Sequence, residues 1–330
     1  MLTLPIHELR ARISGPVLTP ADDGLAAEIS GFDPSVVSRP DITVGAATAA
    51  DVAMALDFAS RHRLQVSLLG SGHADLPALE GGMLITMHRM TDVRVDPAAR
   101  IATVGAGATW TDVLPRCTPF GLAPLCGSAP DVGAVGYLLG GGMGPIGRSF
   151  GFSCDLVRGF DVVTADGRRR TVTADSEPDL FWALRGGKGA LAVVLSATIE
   201  LLELNEIWGG SWYVAESDIP AALAAFGHVA TGTLTEALTL SFAILRMPDQ
   251  PAVPGPVRGR TVGHIRVGHT GDPAEGAELI GPLRAAAPAV LGGVGPLPYA
   301  RIGTIHNDPV HPTVHANAGE LAPGVPVEGS

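Results

Sequence analysis

Cysteine is scarce in this chain. There are three, Cys117, Cys126 and Cys154, and no pair has CxxC spacing. An odd, unspaced set frames no disulfide scaffold and no zinc site, and it points to a reduced, cytoplasmic protein. Aromatic residues are also few, at 5%, and none alternate with basic ones. No Lys/Arg block offsets the net charge of -11, so no nucleic-acid partner is expected. No apolar run reaches the roughly 18 residues of a membrane helix. The longest candidate, from Ala190 to Leu204, is broken by Ser, Thr and Glu. The N-terminus, MLTLPIHELRARISG, lacks the apolar core of a secretory signal, so neither membrane nor export is expected. What remains is a chain of 330 residues, 46% apolar, with enough hydrophobic material for two domains.

Glycine is abundant, and it is concentrated. From Cys126 to Asp155 the chain reads CGSAPDVGAVGYLLGGGMGPIGRSFGFSCD, nine glycines in thirty residues. A flexible linker would interleave its glycines with Ser, Lys and Glu. Here the interleaved residues are Val, Leu, Met, Ile and Phe, so the backbone is expected to approach something closely or to adopt positive φ.

In chain order, a short helix is expected at Ile6 to Ile13. Asp41 to Ala46 reads as a strand, and Thr48 caps a helix carrying Val52, Ala55, Leu56 and Ala59. Leu64 to Leu69 is a second strand, completing a βαβ unit that ends in Gly70-Ser71-Gly72-His73. Short strands follow at Met83–His88, Thr91–Val95 and Ile101–Val104, then a helix from Thr109. Beyond the glycine stretch, Asp166-Gly167 turns a hairpin between Leu156–Thr164 and Arg169–Thr173. Ser176 is expected to cap a short helix, and Leu191 to Leu204 to form a long strand. After Asn205 the order is strand 207–214, helix 219–229, strands 238–245 and 261–269, and helix 273–286. That order is most of a ferredoxin-like α+β unit. From 306 to 330 the chain is polar and rich in Pro and Gly, and a flexible tail is expected. His306, Asp308, His311 and His315 fall there with no established metal spacing, so no metal is expected.

Common nucleotide fingerprints fail. GAGATW at 105 lacks the third glycine of GxGxxG, and Lys188 in RGGKGA is followed by Gly189 rather than Ser or Thr. GSGH at 70–73 is more informative. Small residues at a strand's carboxyl end expose consecutive N–H groups, which suit a pyrophosphate, and a histidine beside them could reach an attached ring.

GSGH, then GSAPDVGAVGYLLGGGMGPIGRSFGFSCDLV, then VTADGRRRTV and DLFWALRGGKGALAVVLSATIEL occur in this order. The set resembles the berberine-bridge-enzyme-like branch of the vanillyl-alcohol-oxidase/p-cresol-methylhydroxylase (PCMH) flavoproteins. The resemblance implies an α+β fold: a PCMH-type FAD-binding domain of two α/β subdomains at 36–205, then a partial antiparallel-sheet substrate domain at 206–305, with an N-terminal extension at 1–35. It implies FAD as cofactor. Gly70, Ser71, Gly72, His73 and Ala74 would surround the pyrophosphate, with His73 bonded covalently to the flavin. Ser128, Val132, Gly133, Gly136, Tyr137, Gly141 and Gly142 would line the flavin, and Val157 would lie near the adenine.

The sequence also departs from the family. Ala129 stands where many relatives place a second cysteinyl link, so one covalent bond, through His73 only, is expected. Tyr137 replaces a frequent histidine and Leu69 a frequent basic residue. Relatives are considerably longer, and the segment holding their catalytic base has no counterpart here, so no base is assigned. The implied function is FAD-dependent oxidation of a small organic substrate (a carbinol, sugar or secondary metabolite) by hydride transfer, with molecular oxygen as acceptor. The rival is a flavin-binding protein without redox turnover, or a cyclase using FAD structurally. An unfinished sheet would also leave an edge open to homodimerisation.

Overall fold

In the computed structural model the described residues are 4–74, 77–232 and 235–315. The chain divides into two compact units. The first takes the chain up to Gly142, then Phe152–Glu203 and the segment from Pro309; the second takes Met143–Gly151 and Leu204–Asp308. The tail expected from 306 is described only as far as His315, and its remainder lies outside the described residues.

The first unit opens with a short helix, α1 (Ile6–Arg10), and among the described residues contains two larger sheets and a short pairing of Leu122–Ala123 with Leu202–Glu203. One holds β1 (Val17–Leu18), β2 (Ile42–Gly45), β3 (Val66–Leu69) and β4 (Met83–Thr86) in the order β1-β2-β4-β3. Strands β2 and β3 both run parallel to β4, so the expected βαβ unit is present with β4 between its two strands. Its crossover helix, α2 (Ala49–His62), starts at a capping box. The Thr48 side chain accepts from the Asp51 N–H, and Asp51 accepts from the Thr48 N–H. Val52, Ala55, Phe58 and Ala59, at helical spacing, face the core.

The other sheet is antiparallel: β5 (Val93–Asp96), β6 (Ile101–Gly105), β7 (Val157–Thr164), β8 (Arg169–Val172) and β9 (Ala192–Glu200), in the order β5-β6-β9-β7-β8. Val163, Val193 and Leu195 from this sheet share a core with Ile42, Met83 and Phe58 of the first layer. Helices α3 (Trp110–Cys117), α4 (Ala134–Leu139) and α5 (Pro178–Leu184) complete the unit. The hairpin of β7 and β8 turns as expected at Gly167, φ +75°. Ser176 does not cap α5. Its hydroxyl bonds the Thr171 carbonyl instead, and the helix starts after Glu177 with Pro178 in the first turn, where no N–H is needed.

The second unit is a four-stranded antiparallel sheet: β10 (Glu206–Ala215), β11 (Leu238–Arg246), β12 (Thr261–His269) and β13 (Leu291–Pro298), in the order β11-β12-β10-β13. With α6 (Ile219–Thr231), α7 (Pro273–Leu279) and α8 (Gly281–Ala286) it completes a βαββαβ unit. The single helix expected at 273–286 is broken at Ile280, where Pro282 in the next turn cannot donate back. Strand β13, LGGVGPLP, was not expected. Its Gly and Pro content argues against a strand, but it lies on the sheet edge, where prolines are tolerated. Trp212, Leu238, Ile265 and Val267 pack one sheet face onto Ala222, Ile280 and Leu283 of the helices. No helix among the described residues is long and apolar enough to cross a membrane.

Candidate cofactor site

All the residues singled out for the cofactor fall in the first unit. The loop Gly70–Ala74 leaves the end of β3, and Gly72 holds φ +73°. A Cβ on Gly72 would lie 2.5 Å from the Gly31 Cα and 2.9 Å from the Phe32 nitrogen, so only glycine fits. The Phe32 N–H donates to the Ser71 carbonyl at 3.1 Å. The Phe32 ring stacks on His73, centroids 3.9 Å apart and planes at 18°. The Thr313 N–H in turn donates to the Phe32 carbonyl. A segment far along the chain thereby supports the residue that backs His73.

The second stretch meets this loop through Ser71, whose Oγ accepts the Gly133 N–H at 2.9 Å and lies 2.9 Å from His73 Nδ1. The Asp131 carboxylate is 3.3 Å from His73 Nε2. These contacts fix the tautomer. The Asp131 carboxylate can only accept, so Nε2 carries the proton of the neutral ring, and Nδ1 accepts from the Ser71 hydroxyl, whose oxygen also accepts the Gly133 N–H. Burial pulls the His73 pKa below its ordinary value, while the Asp131 charge and hydrogen bond pull the other way. The result is a neutral imidazole with its lone pair on Nδ1 and a carboxylate behind it.

Gly133 forms the N-cap of α4, with the Ala134 N–H on the Ala108 carbonyl. Val132 is tied by its carbonyl to the Trp110 N–H, and Ser128 lies half-buried in the loop before it. Tyr137, on α4, turns its ring inward. It stands edge-on to Trp110 at 5.6 Å, and a Cβ on Gly127 would come within 2.9 Å of it. A Cβ on Gly142, φ +73°, would collide with the same ring. These two glycines are therefore required by tyrosine packing. The Tyr137 hydroxyl is buried near Ser153, and burial pushes its pKa up to about 12 against the opposing pull of Ser153. Gly141 sits at φ +95°, with its N–H on the Leu138 carbonyl. Val157 begins β7 and is buried in the sheet.

Other features have no explanation within the chain. A Cβ on Gly70 or Gly136 would meet nothing within 4 Å, although neither has positive φ. Among the described residues, the N–H groups of Ser71, Gly72, His73 and Ala74 reach no acceptor. Buried Asp131 Oδ1 has no partner either. Unused donors around side-chain-free backbone fit a phosphate-bearing, planar cofactor. Phe32 and Asp131 were not anticipated. Asp131 had a signal, as one of few charges in the stretch from Cys126 to Asp155; Phe32 had none.

Comparison with known proteins gives a consistent picture. The FAD binding domain family matches residues 40–173. (R)-6-hydroxynicotine oxidase of Paenarthrobacter nicotinovorans is 31% identical over 194 residues, 58% of this chain and 42% of that protein. The crystal structure of 6-hydroxy-D-nicotine oxidase from Arthrobacter nicotinovorans superposes with TM-score 0.78 at 25% identity, covering 89% of this chain and 64% of that one. The berberine-bridge-enzyme-like protein 1 of Physcomitrella patens shares the fold, with TM-score 0.79 at 19% identity, over 94% of this chain and 69% of that one. The matched part thus spans about two fifths of the curated relative.

Proposed function

We propose that this chain, whose residues 40–173 match the FAD binding domain family and which is similar to FAD-linked oxidoreductases, oxidises a small organic substrate with FAD, reoxidised by molecular oxygen. When bound, FAD supplies the hydride acceptor. The observation that carries the reading is the His73 arrangement, in which Ser71 and Asp131 present one neutral imidazole with a defined lone pair beside unused backbone donors.

The residues divide the work. Ser71, Gly72, His73 and Ala74 would hold the diphosphate by their N–H groups, and Gly70 and Gly136 would leave room for the ring system. Val132 and Gly133 fix the approach of α4 to that loop, while Ser128, Tyr137, Gly141 and Gly142 shape the wall beside it and Val157 the adenine end. His73, through the Nδ1 lone pair, would be the residue that tethers the flavin, and Asp131, which accepts from Nε2–H, would hold the imidazole in place for it. Ala129 has no nucleophile, so a second link is not formed. One similar protein is named as a 6-hydroxynicotine oxidase, and a small secondary metabolite is the class proposed here.

Anaerobic mixing of the yellow protein with a panel of amines, carbinols and sugars tests the redox reading. Bleaching of the flavin by at least one of them, reversed on admitting air, is the expected result. A yellow protein that no substrate bleaches, yet dithionite reduces, would point to FAD in a structural role.

A further inference from the structure

Two hydrogen-bonding contacts act on His73, with Ser71 at Nδ1 and Asp131 at Nε2. Both act at the rim of the ring. Hydrogen-bond angles are broad, so the two contacts restrain only weakly a rocking of the imidazole about the line through its nitrogens. A third contact opposes that rocking directly. The Phe32 ring lies on one face of the imidazole, centroids 3.9 Å apart and planes at 18°. Aromatic pairs more often stand about 4.5–7 Å apart, offset or edge-on, so this stack is unusually close and covers the face.

The core of the unit does not account for this placement. The Phe32 side chain is half-buried and lies outside the cluster that Phe58 and Met83 form with the sheets. Ties on both sides bring it to the ring instead. Its N–H donates to the Ser71 carbonyl at 3.1 Å, and its carbonyl accepts the Thr313 N–H at 3.0 Å. Before it, Gly31 packs on Gly72 so closely that a Cβ on Gly72 would lie 2.5 Å from the Gly31 Cα. After it, the buried Asp33 accepts the Ser35 N–H and hydroxyl, and His315 Nδ1 stands 3.8 Å from its carboxylate. Residues 31–33 are thus wedged between the loop Gly70–Ala74 and the segment 309–315, and the one ring they carry rests on His73.

We propose that Phe32 is a positioning residue for His73, held on the imidazole face by the segment 309–315. The inference rests on the reading of His73 as the flavin tether. Tethering exchanges the imidazole N–H and one C–H of the flavin 8α-methyl for a C–N bond. The two hydrogens and the electron pair pass to molecular oxygen, giving hydrogen peroxide. The Nδ1 lone pair lies in the ring plane, so the rate of attachment depends on how well that plane is kept. Ser71 and Asp131 fix the tautomer, and Phe32 fixes the plane. Reversible binding of FAD draws on the backbone N–H groups of the loop and does not need the Phe32 ring.

The experiment mixes FAD-free, full-length protein with FAD in air and follows acid-precipitable flavin with time at several FAD concentrations. The limiting rate of attachment is thereby separated from the half-saturating concentration. Phe32→Leu keeps apolar bulk without a flat face. It should lower the limiting rate about tenfold and move the half-saturating concentration by less than about twofold. Phe32→Tyr should restore the rate of the unaltered chain. Thr313→Pro removes the donor to the Phe32 carbonyl without touching His73, and should slow attachment by a smaller factor. It carries the test if Phe32→Leu does not fold. An unchanged limiting rate in Phe32→Leu, equal slowing in the Leu and Tyr variants, or a loss confined to the half-saturating concentration would overturn the inference and leave the tether reading standing. An unchanged rate in Thr313→Pro would overturn the part given to the segment 309–315. No acid-stable flavin in the unaltered chain would overturn both readings.

Discussion

Two kinds of glycine stand out at the residue scale, and they make opposite predictions. Gly72 is required by the fold, because its φ is +73° and its Cβ would strike Gly31 and Phe32. Gly72→Ala should destabilise the protein by about 1–3 kcal/mol, read by urea unfolding without FAD. Gly136 is different. It lies inside α4 with open space where its Cβ would go. Gly136→Ala should leave the FAD-free protein as stable or about 1 kcal/mol more so, since alanine favours a helix. The same change should reduce the flavin retained. If Gly136→Ala keeps full flavin content, that open space serves some other purpose. Such distinctions were only partly legible in the sequence. Gly70–His73 stood out because small residues ended a clear strand. That Gly127 and Gly142 accommodate Tyr137 could not be read, because the packing partner is set by the turn of α4 and not by spacing.

Individual elements show where local signals sufficed. Thr48 announced α2, but its partner Asp51 does more than cap. Fully buried, Asp51 accepts the Ser14, Ala47 and Thr48 N–H groups at 2.9, 2.9 and 3.0 Å. It joins the N-terminal segment to the helix. Asp51→Ala leaves those donors unmet and should cost about 3 kcal/mol, whereas Thr48→Ala should cost about 1 kcal/mol. Equal losses in thermal unfolding would show that Asp51 acts only as a cap. Strand β13 marks the opposite limit. Edge position, not β propensity, makes LGGVGPLP a strand, and its edge position follows only from how β10 and β12 pair.

Strand β12 also predicts a pH response. Burial, with the Arg266 charge second, holds the His264 pKa down to about 3, and burial holds His306 down to about 4. The unfolded chain protonates such histidines near 6.5. Their folded forms bind fewer protons, so stability is full above about pH 6.5 and is lost as pH falls toward those folded values. The melting temperature should drop between pH 6.5 and 4. The drop should be smaller in His264→Gln. An unchanged slope in that variant would remove His264 from the account.

For the whole molecule, the order of motifs located the FAD-binding layer and the ferredoxin-like order located the second sheet. Local sequence could not show that the stretch from Cys126 to Asp155 is shared, with Met143–Gly151 in the second unit. Nor could it show that a segment beyond Pro309 supports Phe32. Both depend on contacts between residues far apart in the chain.

The central claim is that His73, positioned by Ser71 and Asp131, is the one covalent anchor of FAD. It is tested most directly by precipitating the purified protein with acid and asking where the yellow colour goes. The unaltered chain should carry its flavin into the pellet, His73→Ala should release it to the supernatant, and Asp131→Asn should leave a mixture. Flavin that stays in the pellet with His73→Ala, or that leaves the unaltered protein freely, would contradict the account.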